Sequence, residues 1–241
     1  MRESGSVTTP EADRTSARPR GLCLFDLDDT LLPIDSDHAW GEFVIRLGWV
    51  DERPFRRAND AFYTAYKEGR LDIHAYIDFA TAPLRARSLE ETGAAHTRFM
   101  REVVEPALRP QALALVREHQ ARGDWMALVT ATNDFVTGPI AAAFGIADLI
   151  AVRLERAPGG TITGRIAGTP SFRQGKVSRV EEWLAEGGRG WRDFDRISVY
   201  SDSVNDLPLL ERATEPVATN PSPALEAIAR ERGWRILNLF A

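Results

Sequence analysis

The sequence predicts an α/β fold, a doubly wound parallel sheet of Rossmann-like type with a helical block inserted after its first strand, and three observations carry that prediction. From residue 125 onward, short apolar runs alternate with segments of helical periodicity. One further apolar run, Leu22 to Phe25, stands far upstream of them. Between the two lie residues 36 to 122, which hold helical stripes and no strand-like run. Strands that alternate with helices assemble into a parallel sheet covered on both faces.

In chain order, residues 1 to 20 hold almost no apolar side chains and many Ser, Thr, Arg and Pro, so they are expected to form a disordered tail. They lack the apolar middle of a secretory signal. Leu22 to Phe25 is expected to be a buried strand. Trp40, Phe43, Val44 and Leu47 form one helical stripe, and Phe55, Ala58, Phe62, Ala65 and Tyr66 a second that ends near Gly69. Ile73, Tyr76, Ile77 and Ala80 form a third, expected to stop at Pro83. Leu89 to Val104 and Pro110 to Gln120 continue the pattern. The expected division assigns residues 21–34 and 106–241 to the sheet core and 35–105 to the helical insertion. Later strands are expected at Trp125 to Val129, Leu149 to Leu154, Ile197 to Tyr200, Val217 to Ala218 and Trp234 to Leu239. Helices are expected at Phe135 to Phe144, Lys176 to Glu186, Asp206 to Arg212 and Pro223 to Arg232. In APGGTITGRIAG, Gly159 and Gly160 mark the turn of an edge hairpin.

With 241 residues and 44% hydrophobic content, the chain can bury a sizeable core. Its net charge of −5 offers no electrostatic footprint for nucleic acid and no basic face for a membrane, and no apolar stretch is long enough to span a bilayer. The single cysteine, Cys23, permits no disulfide within the chain and fits a reducing cytoplasm. Oligomeric state is not legible at this level.

Ligands of open α/β sheets bind outside the carboxyl ends of the strands. Asp26, Asp28 and Thr30 follow the first strand, Thr130 the second, and Ser201, Asp202, Asn205 and Asp206 a later one, while Lys176 opens a helix. Two carboxylates about 4 Å apart repel by roughly 4 kcal/mol at an effective dielectric of about 20, so this concentration of acids must be offset by solvent, a nearby cation or a bound metal. Mg²⁺ prefers oxygen ligands and is commonly held by one or two carboxylates plus substrate phosphate. Carboxylates, hydroxyls and one lysine are the parts that Mg²⁺-assisted phosphoryl transfer uses. Two other phosphate chemistries fail on inspection: Cys23 has Asp29 where a cysteine phosphatase needs arginine, and Gly175-Lys176 has Pro170 where a nucleotide-binding loop needs its first glycine. Asp29 reads as a turn residue, and Thr132 and Asn133 as the cap of the following helix. His38, His74, His96 and His119 show no metal-ligand spacing and are expected at surface or cap positions.

DLDDT at Asp26 to Thr30, Thr130 after its apolar strand, Gly175-Lys176, and SDSVND at Ser201 to Asp206 resemble, in order, the four motifs of the haloacid dehalogenase superfamily of phosphatases. The helical insertion resembles the cap of its phosphoserine phosphatase-like branch, and the resemblance covers residues 21 to 241. It implies that Asp26 is the nucleophile, that Asp28 is the general acid and base, and that Thr130 and Lys176 bind the phosphoryl group. It further implies that Asp26, the Asp28 backbone, Asp202 and Asp206 serve a Mg²⁺ ion. In that branch an acid at the offset of Asp35, here with Asp37 beside it, binds the substrate amine, and a cap arginine, for which Arg53, Arg56 and Arg57 are candidates, binds a carboxylate. Asn205 is counted with the substrate-binding positions. Ala131 and Thr132 replace the glycine pair usual after the second-motif hydroxyl, which alters the pocket floor. The expected substrate is a small, amine-bearing phosphomonoester of the phosphoserine or histidinol phosphate type. A phosphotransferase of the same fold is an alternative, and so is a phosphoaccepting receiver domain, although a receiver needs only about half this length.

Overall fold

The computed structural model describes residues 20–240, so the tail expected over residues 1 to 20 lies, apart from Arg20, outside the described residues. Eight strands are described: β1 (Gly21–Phe25), β2 (Trp125–Asn133), β3 (Asp148–Val152), β4 (Leu154–Arg156), β5 (Ile162–Ile166), β6 (Arg196–Ser201), β7 (Glu215–Thr219) and β8 (Arg235–Leu237). Six of them form one sheet in the order β3-β2-β1-β6-β7-β8, and every pairing is parallel. The central place of β1 explains its sequence: a strand covered on both faces needs apolar side chains in both directions, and all five of its residues are buried.

Five helices lie between β1 and the helix that leads into β2. They are α1 (Ser36–Arg46), α2 (Glu52–Lys67), α3 (Ile73–Arg85), α4 (Leu89–Phe99) and α5 (Glu105–Ala107), the last two joined by a π-helical turn at Met100–Val104. The layer around the sheet is completed by α6 (Pro110–Ala121), α7 (Asp134–Phe144), α8 (Gln174–Glu186), α9 (Leu207–Leu210) and α10 (Pro223–Arg232). Their starts are chemically marked. Asp35 caps α1 through the His38 amide, Ser88 and Glu91 form a reciprocal capping box on α4, and Asn133 and Ser222 cap α7 and α10.

The core lies on both faces of the sheet. On one face Leu22, Leu24, Val129, Val177, Val180 and Leu225 pack together. On the other, Phe25 and Leu128 share a cluster with Trp40, Phe43, Leu84 and Phe99, so side chains of α1, α3 and α4 enter the same core as the sheet and cross the division expected at residues 35 and 105. A third cluster joins Ile73, Tyr76 and Ile77 of α3 to Val152 and Leu154.

Three expectations are corrected. Pro83 does not stop α3, which runs on to Arg85; it sits in the last turn, where a missing N–H removes a single intrahelical bond. The strand expected over Leu149 to Leu154 ends at Val152, and Leu154 instead opens the antiparallel β4–β5 hairpin whose turn contains Gly159 and Gly160. His96 and His119 are buried: His96 bonds the Val136 carbonyl oxygen, and His119 lies between Asp124 and the Tyr200 hydroxyl. No helix among the described residues is long and apolar enough to cross a membrane.

Candidate active site

Parallel register sets the site. Phe25 pairs with Leu128 on one side and with Tyr200 on the other, so the residues that leave the carboxyl ends of β1, β2 and β6 emerge side by side. The Asp26 amide donates to the Tyr200 carbonyl at 2.9 Å, which extends the ladder by one residue and fixes the start of the acidic turn.

Asp26 is buried and held from two directions. Its Oδ1 accepts from Lys176 Nζ at 2.8 Å and its Oδ2 from the Thr30 hydroxyl at 3.0 Å. The same lysine donates to Asp206 Oδ2 at 2.7 Å, and Ser201 Oγ donates to that oxygen at 2.8 Å. Asp206 Oδ1, equally buried, has no hydrogen-bond partner. Thr30 Oγ1 also lies 3.3 Å from Asp202 Oδ1 and accepts from the Asp202 amide at 3.0 Å. One hydroxyl therefore ties the first motif to the fourth.

Asp28 points toward the insertion side. Its Oδ1 accepts from the Ser36 amide at 2.8 Å and its Oδ2 from the Thr132 hydroxyl at 2.8 Å. A hydroxyl can rotate to donate to a carboxylate or to accept from a carboxylic acid, so Thr132 can hold Asp28 in both protonation states. The Thr130 oxygen accepts from the Thr132 amide at 3.1 Å and keeps its proton for another acceptor.

Burial raises the cost of charge here. It pushes Asp26 up to about 7 against the pull of Lys176, with Asp206 adding repulsion. It pushes Asp28 up to about 7 as well, with the charge of Asp35 next in weight. Asp202 is held well above the carboxylate range by burial and by Asp26. Burial pulls the Lys176 ammonium down, but Asp206 and Asp26 outweigh it and keep the amine protonated. These acids would be relieved by a divalent cation, and the residues fit one: an oxygen-only donor set with a partnerless carboxylate oxygen at Asp206 suits Mg²⁺.

Above the floor opens a pocket of about 470 Å³, part of it open to solvent, lined by Asp35, Asp37, Phe62, Tyr63, Tyr66 and Tyr76 together with Asp26, Asp28 and Thr130. Asp35 Oδ1 accepts from the His38 amide at 2.7 Å, and Asp37 Oδ1 from the Asn133 side-chain amide at 3.0 Å. The expected carboxylate-binding arginines are not brought here. Arg56 is held on Glu42 at 2.9 Å and on Glu52 at 2.5 Å, and Arg53 and Arg57 are exposed on α2. Asn205 is also absent from the pocket lining; its side-chain amide donates to the Tyr66 carbonyl oxygen at 3.2 Å.

That contact is one of three that seat the end of α2 on the core loops. Lys67 Nζ meets Asp29 Oδ2 at 2.5 Å, and Arg173 donates to the Gly69 carbonyl oxygen. Asp29 (φ 57°), Arg173 (φ 51°) and Asn220 (φ 44°) are the non-glycine residues with positive φ among those described. The first two grip α2. Asn220 braces the first, donating to the Asp29 and Thr30 carbonyl oxygens at 3.0 and 3.1 Å.

Sequence reasoning missed Thr30 as a link between motifs and Thr132 as the partner of Asp28. The signal available for Thr132 was its replacement of a glycine beside the second motif.

Known proteins resemble the chain in sequence and in fold. Residues 23–211 match the family of haloacid dehalogenase-like hydrolases. A histidinol-phosphatase of Neisseria meningitidis serogroup C is 43% identical over 219 residues, covering 91% of this chain and 99% of that protein. A crystal structure of a protein of unknown function from Bordetella pertussis Tohama I superposes with a TM-score of 0.87 at 51% identity, covering 92% of this chain and 100% of the other. A substrate-bound phosphoserine phosphatase superposes with a TM-score of 0.63 at 18% identity over 91% of this chain and 93% of its own, a likeness of fold.

Proposed function

The chain belongs to the haloacid dehalogenase-like hydrolase family and is a phosphatase; from that premise we propose that it hydrolyses a small, amine-bearing phosphomonoester of the histidinol phosphate type through a phosphorylated Asp26, with Mg²⁺ as cofactor. The observation that carries the reading is the placement of the Asp26 carboxylate between Lys176 and Thr30, beside Asp202 and the partnerless oxygen of Asp206, at the floor of the pocket.

An Asp26 oxygen attacks phosphorus, and the bond from phosphorus to the substrate oxygen breaks. The leaving alkoxide takes a proton from the Asp28 carboxylic acid, whose high pKa keeps part of the population protonated near neutrality. In the second half, ionised Asp28 takes a proton from water, the water oxygen bonds to phosphorus, and phosphate leaves with Asp26 restored. Thr130 donates its free proton to a phosphoryl oxygen, and Lys176 holds fixed positive charge beside the attacking carboxylate. Asp26, Asp202, Asp206 and the Asp28 backbone carbonyl oxygen would hold Mg²⁺, which when bound supplies Lewis-acid stabilisation of phosphoryl charge.

The helical insertion, as a cap over the pocket, would exclude water and select the substrate, and the links from Lys67, Asn205 and Arg173 support its closed position. The 43% identical histidinol-phosphatase supports the substrate type, as do Asp35 and Asp37 in the lining. The test is release of phosphate from a panel of phosphorylated metabolites with Mg²⁺ and with EDTA. Turnover that survives EDTA, or a panel without an amine-bearing substrate among the best, contradicts the proposal.

A further inference from the structure

The upper half of the pocket is charged with one sign. Among the described residues its lining holds Asp26, Asp28, Asp35 and Asp37 with neither lysine nor arginine, and His38 is its one basic side chain. Asp26 is answered from below by Lys176. Asp37 is answered only by neutral donors, the Asn133 amide and the Tyr76 phenol, while Asp35 accepts from the His38 backbone amide and feels the side-chain charges of His38 and Lys67 without a direct bond to either. Neutral donors orient a carboxylate without neutralising it. Both acids belong to the start of α1, where the helix dipole lowers the cost of holding negative charge until a cation arrives. Phe62, Tyr63, Tyr66 and Tyr76 stand around them, and aromatic faces favour cations.

We propose that this half of the pocket takes a substrate end bearing two nitrogen donors and no carboxylate, one nitrogen on Asp35 and the second on Asp37, which makes Asp37 a specificity-determining residue. The assignment rests on the phosphatase reading above and refines it. Asp35 stands at the position where the resemblance already implies amine binding; Asp37, two residues on in the first turn of α1, supplies a second carboxyl group inside the same cavity. A substrate carboxylate has no place, because the arginines that would receive it are exposed or locked on Glu42 and Glu52 outside the lining. A substrate with one amine on Asp35 leaves the buried Asp37 without a cationic partner and forgoes that contact.

The test compares kcat/KM of the full chain with Mg²⁺ for histidinol phosphate (amine and imidazole), O-phosphoethanolamine (amine alone), O-phosphoserine (amine and carboxylate) and 4-nitrophenyl phosphate (neither). The wild-type protein is expected to favour histidinol phosphate over O-phosphoethanolamine by about tenfold or more, and to use O-phosphoserine least of the three amines. Asp37→Asn is expected to shrink the ratio between histidinol phosphate and O-phosphoethanolamine by about tenfold, whatever it does to turnover as a whole. An unchanged ratio in the variant, or O-phosphoserine used as well as O-phosphoethanolamine by the wild type, overturns the assignment. The wild-type ranking decides even if the variant does not fold. Absence of any hydrolysis, 4-nitrophenyl phosphate included, removes the phosphatase reading itself, whereas turnover of the aryl ester without the amine ranking removes only this refinement.

Discussion

At the floor of the cavity Asp26 and Asp206 share the buried ammonium of Lys176, whereas at the start of α1 Asp35 and Asp37 face no lysine or arginine within the lining. Asp26, Asp206 and Asp37 are buried and Asp35 is half-buried, and desolvation raises the pKa of Asp26, Asp35 and Asp37 alike. The difference lies in who supplies the cation. At the floor a lysine of the chain itself bridges Asp26 and Asp206, which fixes the direction of the Asp26 carboxylate. The α1 acids are oriented by neutral donors and left for a charge that comes with the ligand. A catalytic apparatus is preorganised in this way, while a recognition surface keeps an unmet demand that only the right ligand answers.

The largest break in this contrast is expected from Lys176→Met. Removing the ammonium leaves two acids buried without their partner, so turnover is expected to fall by about 10³-fold and the fold to lose about 3–5 kcal/mol, read by steady-state assay and denaturant titration. A variant of near-native stability would show that the floor is not neutralised by this residue.

Asp206→Asn should have the next largest effect. The amide retains a hydrogen-bonding oxygen but loses the charge beside the partnerless position, and the Mg²⁺ concentration for half-maximal activity is expected to rise about tenfold. An unchanged metal requirement would remove Asp206 from the metal's surroundings.

The pH dependence of the metal-free protein sharpens the comparison further. Asp26 and Asp28 are raised to about 7 in the folded chain from 3.8. Their contribution to stability is therefore complete below about pH 4 and is lost as pH rises through 7. Mg²⁺ favours the ionised acids, so the Tm increase it produces should be larger at pH 8 than at pH 5. Equal increases at both pH values would mean that the metal does not relieve these carboxylates.

The smallest effect is expected from Lys67→Ala, which cuts the partly exposed ion pair between α2 and Asp29. Pairs of this kind contribute about 0.2–1 kcal/mol, so KM should rise by a few-fold. A much larger change would give the seating of α2 a weight comparable to the floor.

How much of this was readable from the chain follows from the range of each interaction. Apolar runs that end in Asp26, Thr130 and Ser201-Asp202 are local patterns, and a parallel sheet brings their ends together whatever the detail, so the floor residues were legible as a group. Asn133 as a helix cap was legible for the same reason, since its bond to the Val136 amide is local. The bond from Thr132 to Asp28 and the one from Thr30 to Asp202 span 104 and 172 positions, and no local periodicity encodes them. Arg56 was a candidate by composition; its pair with Glu52 is a local i,i+4 contact within α2, but its capture by Glu42 depends on how α1 packs on α2. His96 and His119 were expected outside because a helical stripe does not disclose a distant carbonyl or a tyrosine hydroxyl awaiting the ring.

The central claim is that the oxygen of Asp26 bonds to phosphorus. Its most direct test is to quench the working enzyme with borohydride, which reduces an acyl phosphate to the alcohol, and to map the digested chain by mass spectrometry. The account predicts homoserine at position 26, dependent on substrate and Mg²⁺. Unmodified Asp26 during sustained turnover, or the label on another residue, would contradict it.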